Sequence, residues 1–212
     1  MSWLDQVHQS HVADRRVSVL LRHFQELAPP DASVLDVGCG DGRLTAALGQ
    51  ARPDLRLRGV DVLVREQCDV DVTPFDGSSL PFEDSSFDAV MFVDVLHHTE
   101  DPMVLLREAR RVSRRAILIK DHFLQGLLSG PTLRFMDRVG NARHGVALPH
   151  NYWRPAQWEQ AFRELGLRVA EQRGQLGLYW WPASMLFERG LHFVARLEPD
   201  GPPSQATLVR PC

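Results

Sequence analysis

The chain has 212 residues, of which 24% are charged and 44% hydrophobic, an ordinary composition for a globular domain. Its formal net charge of -3 offers no positive field to attract a nucleic acid, so no nucleic-acid partner is expected. Three scattered cysteines argue against a disulfide scaffold or a zinc site, and no metal is expected. No signal peptide and no apolar run long enough for a membrane span is found, so a cytoplasmic protein is predicted.

The first part of the chain alternates predicted helices and strands. Apolar residues at a helical period predict a helix over 12–27, which two prolines then end. The elements that follow are a strand at 33–37, a helix to about residue 50, and strands at about 56–60 and 70–73. The connection between the strands at about 56–60 and 70–73 has room for only a turn or two of helix.

The second part continues this alternation and then departs from it. A continuous apolar run at 89–95 predicts a strand buried on both faces, a helix begins at Pro102, and 116–119 form a fifth strand. Residues 121–155 place glycines and prolines between apolar clusters, which predicts a helical lid inserted over the strand ends. The remaining predicted elements are a helix at 155–165, two strands at 168–171 and 191–197, and an unpacked tail at 199–212. Residues 1–198 are expected to form one domain, with 1–30 as a helical cap.

The most informative segment is the turn after the first strand, Asp36-Val-Gly-Cys-Gly-Asp-Gly42. Glycine at alternate positions permits a tight turn and the close approach of a ligand, and a strand, glycine turn and helix form the nucleotide-binding corner of an open α/β sheet. A dinucleotide fingerprint would need glycine in place of Arg43. The carboxylates of Asp36 and Asp41 instead favour a cationic ligand, and S-adenosylmethionine (SAM) carries a sulfonium and an ammonium.

This turn resembles the first motif of the class I SAM-dependent methyltransferases, and later segments resemble further motifs of that family in order. They are Leu57-Arg-Gly-Val-Asp61, Asp76-Gly-Ser-Ser-Leu-Pro-Phe-Glu-Asp-Ser-Ser-Phe-Asp88, and Phe92-Val-Asp-Val-Leu-His-His98 followed by Asp101-Pro102. The resemblance implies a doubly wound, mostly parallel, seven-stranded sheet of Rossmann-like α/β type with an antiparallel last strand. It also implies SAM as the cofactor and S-adenosylhomocysteine as the product.

The resemblance further implies which residues hold the cofactor. Asp61 would accept hydrogen bonds from both ribose hydroxyls, and Asp76 with the amide of Gly77 would contact the adenine. A helix or turn cap is the alternative role for Asp61, and a turn before Gly77 is the alternative for Asp76. The predicted cofactor-binding residues are Asp36, Gly38, Gly40, Asp61, Val62, Asp76, Gly77, Val93 and Asp94.

Methyl transfer needs a base only if the acceptor atom holds a proton at neutral pH, because the cofactor already activates the methyl group. His97 and His122 are the candidate catalytic residues, since histidine titrates near neutral pH and both follow strands that end at the predicted site. A packed or capping role is the alternative for each. His98 is expected to be packed and hydrogen-bonded.

The acceptor is predicted to be an apolar or aromatic small molecule, methylated at oxygen rather than nitrogen or carbon. This rests on the insertion, on the candidate bases and on the aromatic segment Tyr179-Trp180-Trp181, whose alternative role is to close the core. A catalytically inactive methyltransferase-fold binding protein or partner subunit is the alternative function, which the short connection between Asp61 and Asp76 favours. A nicotinamide-dependent oxidoreductase is disfavoured by Arg43.

Overall fold

The computed structural model describes residues 3–141 and 149–201, with the side chains of 15–139 and 149–201. No helix in these ranges is both long and apolar enough to cross a membrane. The elements in chain order are α1 (Trp3–Leu27), β1 (Ser33–Val37), α2 (Arg43–Ala51), β2 (Arg56–Asp61), β3 (Val72–Pro74), β4 (Phe87–Val93), α3 (Pro102–Val112), β5 (Ser113–His122), α4 (Ser129–Asn141), α5 (Pro155–Glu164), β6 (Leu167–Arg173), α6 (Ser184–Phe187) and β7 (His192–Pro199).

The strands form one seven-stranded sheet in the order β3-β2-β1-β4-β5-β7-β6. The first five strands along the chain pair in parallel, whereas β7 runs antiparallel to both β5 and β6. The predicted fold class is confirmed. The strand order reverses between β1 and β4, and in such sheets ligands bind outside the carboxyl ends of the strands at that point.

Helices cover both faces of the sheet, as a doubly wound fold requires. On one face α1 and α2 pack against the strands through apolar residues that include Phe24 and Leu48. On the other face α3 and α5 pack through residues that include Leu105 and Trp158. The sheet between them is therefore buried on both sides, which explains the continuous apolar run in β4.

The start of α3 follows from its sequence. The side chain of Asp101 accepts a hydrogen bond from the backbone N–H of Met103 at 2.9 Å, and Pro102 occupies the first turn, where no N–H donor is needed. The apolar residues of α3 then recur at helical spacing and are buried: Leu105, Leu106, Ala109 and Val112. This cap fixes where the chain enters α3 after it leaves β4.

Three boundaries differ from the sequence predictions. Strand β5 runs over Ser113–His122 rather than 116–119, so its polar end belongs to the sheet because β7 pairs with it as far as His122 and His192. The predicted lid at 121–155 contains one described helix, α4, and its residues 142–148 lie outside the described residues, as do 202–212 of the predicted tail. Helix α1 begins nine residues earlier than the predicted 12–27, at Trp3.

Phe193 of β7 lies at the centre of the face that α5 covers. Its ring stacks on Phe123 at 4.2 Å between centroids and meets the edge of Trp158 at 5.3 Å. Phe193→Ala should lower the free energy of unfolding by about 3–5 kcal/mol, because a fully buried aromatic ring leaves a cavity. Urea unfolding measures the effect, and Val104→Ala on the exposed side of α3 should stay within about 0.5 kcal/mol of the parent. A small loss for Phe193→Ala would contradict the packing described for this face.

Candidate active site

The glycine turn after β1 is held by backbone hydrogen bonds to β2. Gly38 N–H donates to the carbonyl of Val60 at 2.8 Å, and Gly40 N–H donates to Oδ2 of Asp61 at 2.8 Å. Gly38 has a φ of 74°, and a Cβ atom built there would lie 2.5 Å from Cγ2 of Val95. Only glycine fits this position, because Val95 closes directly against the turn.

Asp36 ends up buried beneath this turn with one oxygen unpaired. The hydroxyl of Thr45 in α2 donates to Oδ2, whereas Oδ1 has no hydrogen-bond partner among the described residues. Burial raises the pKa of Asp36 to about 7, the hydrogen bond from Thr45 lowers it, and the charge of Asp61 raises it further. A buried oxygen without a donor is costly, and a cationic ligand would supply the missing interaction.

Asp61, the last residue of β2, holds the turn in shape. Its Oδ2 accepts from Gly40, and its Oδ1 accepts from the backbone N–H of Leu63 at 2.9 Å. Both contacts are of the turn-capping type that was the alternative prediction for Asp61. Each carboxylate oxygen has a second acceptor position, so these bonds leave Asp61 able to accept from a ligand as well.

The predicted adenine region is assembled at the end of β3. Oδ1 of exposed Asp76 accepts from the backbone N–H groups of Ser78 and Ser79 at 2.8 and 2.7 Å. These backbone hydrogen bonds lower the pKa of Asp76. Gly77 has a φ of 84°, and a Cβ atom there would lie 3.2 Å from Val62, so Val62 and Gly77 pack against each other.

Asp94, directly after β4, is engaged by two cations. Lys120 Nζ donates to its Oδ1, and a guanidinium nitrogen of Arg16 lies 2.5 Å from its Oδ2. Burial alone would raise the pKa of Asp94, but the charges of Lys120 and Arg16 hold it well below the usual range. Its neighbour Val93 is half-buried at the end of the strand. Both oxygens of Asp94 thus have protein partners that its predicted role in cofactor binding did not anticipate.

His97 is buried in a short 3-10 turn after β4 and faces two carboxylates. Its Nδ1 lies 2.7 Å from Oδ1 of Asp121, and its Nε2 lies 3.4 Å from Oδ1 of Asp137 in α4. Burial lowers the pKa of His97, but Asp121 outweighs it and raises the pKa to about 10. This shift favours the protonated ring at neutral pH. Nδ1 donates to Asp121, whereas Nε2 has no hydrogen-bond partner among the described residues. The surroundings of His97 therefore do not favour the general-base role that the sequence predicts.

His122 lies beside His97 but has different surroundings. It is buried at the end of β5, and its Nδ1 lies 3.4 Å from Asp121 and 3.6 Å from Asp94, without a hydrogen-bond partner among the described side chains. Burial lowers the pKa of His122, and the charge of Lys120 lowers it further. Both effects favour the neutral form of His122, whereas Asp121 favours the protonated form of His97.

Several residues of this cluster were not predicted as site residues. His192 of β7 lies with Nδ1 3.3 Å from Lys120 Nζ, and its Nε2 lies 3.0 Å from the carbonyl of Phe187. The hydroxyl of Tyr152 donates to Asp137 in α4. Arg16 reaches the cluster from α1 across 78 residues of sequence. No local motif marks these positions, because only the sheet order and the packing of α1 and α4 bring them here.

The cluster also contains side chains of the type that bind metal ions. Four of them offer ligand atoms that all lie within 4.8 Å of one another: Asp94, His97, Asp121 and His122. Lys120 already pairs with one of these carboxylates and protonated His97 with the other, so the protein's own cations balance their charge.

The fold and the glycine turn define a class I SAM-dependent methyltransferase fold. Asp36 fits a SAM site, since its buried Oδ1 lacks a donor that the ammonium group of SAM would supply. Residues 35–116 match the protein family described as "Methyltransferase domain". This part of the chain is thus similar to a methyltransferase domain.

Curated relatives and solved structures agree with this class. The chain is 32% identical to the bifunctional methionine biosynthesis protein MetXA/MetW of Rhodopirellula baltica over 142 residues. This match covers 56% of this chain and 23% of the relative. It is 30% identical over 125 residues, 53% of this chain and 45% of the relative, to the 27-O-demethylrifamycin SV methyltransferase of Amycolatopsis mediterranei. The chain therefore spans less than half the length of either relative.

A solved structure shows the same fold over nearly the whole chain. It is the complex of the Trm112 methyltransferase activator of Haloferax volcanii with a protein described as a methyltransferase. The TM-score is 0.66 with 19% identity, covering 94% of this chain and 96% of that one. At this identity the likeness concerns the fold alone.

The pairing of His97 with Asp121 makes stability depend on pH. The pKa of His97 is raised from 6.5 in the unfolded chain to about 10, so its contribution is complete below pH 6.5 and is lost as the pH rises through 10. Between pH 7.5 and 9 the free energy of unfolding should fall by on the order of 1 kcal/mol per pH unit.

Urea unfolding across this range measures the slope, which His97→Gln should flatten. His98→Gln is the matched control, because burial and the charge of His97 lower the pKa of His98 to about 4 and keep it neutral throughout. An unchanged slope in His97→Gln would show that His97 is not the group that titrates.

Proposed function

We propose that the protein transfers the methyl group of SAM to an oxygen atom of a small apolar or aromatic molecule. The observation that carries the cofactor part is the unpaired, buried oxygen of Asp36 beneath the glycine turn. The relative from Amycolatopsis mediterranei is named for the methylation of 27-O-demethylrifamycin SV, a small molecule, which supports the acceptor class.

In this proposal the carboxyl ends of β1 to β4 hold the cofactor. When bound, SAM supplies a methyl group already activated by its sulfonium. Asp36 and the backbone at Gly38 and Gly40 would hold its amino-acid part, and Asp61 would accept from its ribose. Val62 and the turn of Asp76 and Gly77, which pack against each other, would contact the adenine. Val93, the last residue of β4, and Asp94, which follows it, are the remaining proposed cofactor-binding residues.

On the acceptor side, His122 is the better candidate for the base. An acceptor hydroxyl must lose its proton as the methyl group arrives, and burial and the charge of Lys120 favour the neutral form of His122 that can take it. The protonated ring of His97 lies 4.7 Å from His122 between centroids and acts as a hydrogen-bond donor. Asp94 and Asp121 orient His122 from 3.6 and 3.4 Å.

The alternative function is a methyltransferase-fold binding protein or partner subunit without catalysis. The burial of both candidate histidines favours it, since His97 and His122 are only 1% and 5% exposed. The two functions differ in one product. Only an active enzyme converts SAM to S-adenosylhomocysteine in the presence of an acceptor.

Methyl-labelled SAM, incubated with the protein and a small-molecule cell extract, tests the activity. We expect label in an organic-soluble product, S-adenosylhomocysteine in equal amount, and no change on adding a chelator, because no metal is proposed. Label in the RNA or protein fraction would contradict the acceptor class. Activity lost to the chelator and restored by a divalent metal would contradict the metal-free mechanism.

Asp61→Ala should weaken SAM binding by about tenfold or more, because losing a charged acceptor costs roughly 1.5–3 kcal/mol. Calorimetric titration with SAM measures the dissociation constant. Asp54→Ala is the matched control, since Asp54 pairs with Arg52 and precedes β2 at the opposite edge of the sheet. An unchanged dissociation constant in folded Asp61→Ala would remove Asp61 from the site.

We also propose that the predicted lid, from residue 123 onward because 121 and 122 belong to β5, closes over the acceptor. Helix α4 is fastened by buried Leu133 and by Asp137, which accepts from Tyr152. Limited proteolysis should cut the empty protein between about Gly126 and Gly145, S-adenosylhomocysteine should slow the cut, and Tyr152→Phe should speed it by removing one of the hydrogen bonds that hold α4. Equal resistance with and without S-adenosylhomocysteine would make the segment a fixed wall.

A further inference from the structure

Helix α4 and the segment around α6 form one continuous surface, which we call the α4–α6 surface and define as residues 127–139 and 180–190. Phe135 of α4 stacks on Phe187 of α6 with ring centroids 6.2 Å apart. Arg189 fastens the two parts together, donating to the carbonyl of Leu127 at 3.4 Å and to the hydroxyl of Thr132 at 3.1 Å. These contacts join the two segments into one surface.

This surface exposes large apolar side chains at high density. Leu127 is 85% exposed and Trp181 is 79% exposed, and most of their neighbours in the two segments are more than half exposed. These neighbours include Leu128, Phe135, Val139, Trp180, Met185 and Leu186. A contiguous apolar surface of this kind marks a site of interaction with a partner or a membrane.

The charges of the surface point to one kind of partner. Its exposed charged side chains are all arginines, at 134, 138 and 189. The two acids of the same segments face inward, because Asp137 is buried against Tyr152 and Glu188 accepts from the backbone N–H of Tyr179 at 2.9 Å. A chain of net charge -3 thus presents an apolar and locally cationic face.

We propose that the α4–α6 surface docks the protein onto the headgroup layer of a bilayer that contains anionic lipids. Tryptophan, leucine and phenylalanine enter the boundary between headgroups and acyl chains, and arginines pair with lipid phosphates. A protein partner would be expected to bring acidic residues for the arginines and to need shape complementarity, whereas a lipid surface adapts to exposed side chains such as Trp181 and Leu127.

The α4–α6 surface adjoins the candidate acceptor site. The carbonyl of Phe187 lies 3.0 Å from Nε2 of His192, and Asp137 of α4 lies 3.4 Å from Nε2 of His97. Docking would therefore place the acceptor side of the sheet next to the membrane. Membrane docking is a property separate from methyl transfer. Vesicle binding is measured without SAM or acceptor, so a failure to bind vesicles leaves the proposed methyl transfer untouched, and the reverse also holds.

Co-sedimentation with vesicles of phosphatidylcholine alone, or mixed with phosphatidylglycerol, tests the proposal. The protein should bind the mixed vesicles, and Arg134→Gln with Arg138→Gln should weaken this binding by about 30-fold, the effect expected for two arginines near an anionic surface. Leu127→Ser with Trp181→Ser should weaken it by about tenfold or more.

The matched control is Val104→Ser with Arg107→Gln, which removes one apolar and one cationic side chain from the exposed side of α3. Control and parent should bind the mixed vesicles equally, and circular dichroism should show every variant folded. No sedimentation with mixed vesicles, or equal sedimentation of all variants, would overturn the proposal. So would a dimer of the parent that the Leu127 and Trp181 variant dissociates, because it would assign the surface to a second copy of the chain.

Discussion

The buried ammonium group of Lys120 needs a partner of opposite charge inside the sheet, and residues from four elements surround it. Of the 24 lysines and arginines in the chain, Lys120 is the one lysine, and it is 2% exposed. An unpaired charge at this depth would cost several kcal/mol. Asp94 from β4 accepts its hydrogen bond, and His192 from β7 and Arg16 from α1 complete the surroundings. A compact ammonium fits such a site, where the broader guanidinium of arginine would need more acceptors.

This pairing decides which histidine is available for chemistry. The cluster holds three carboxylates, Asp94, Asp121 and Asp137, and three cations, Lys120, Arg16 and protonated His97. His122 lies between the two groups, and the neighbouring charge of Lys120 helps burial to keep it neutral. The two candidate bases of the sequence therefore differ in the protonation state that their surroundings favour. Their spacing in the sequence gives no sign of this division, since it depends on which carboxylate each ring meets.

The glycine turn and the strands on either side of it were predictable from the sequence because these parts are local. A strand, a glycine turn and an acid at the next strand end occupy contiguous motifs, and the structure assembles them at one edge of the sheet. The polar run Lys120-Asp121-His122 was predicted to follow strand five. In the structure β7 pairs with that run, so it stays in the sheet, and Asp94 and His97 pair its charges. The sequence does not show that Asp94 has a second partner, because Arg16 lies far away in α1.

In the proposed function, the part of the chain that follows the matched domain would select the acceptor. The family match ends at residue 116, before the polar end of β5, helix α4 and the segment around α6. Those later elements supply His122, Asp137, Tyr152 and His192, whereas the matched part supplies the turn and acids that suit a common cofactor. A cofactor shared by many enzymes constrains the residues of the matched part in all of them. The residues of the later elements would have to suit one acceptor. Related enzymes can therefore keep the first half of the sheet and differ in the elements that follow it.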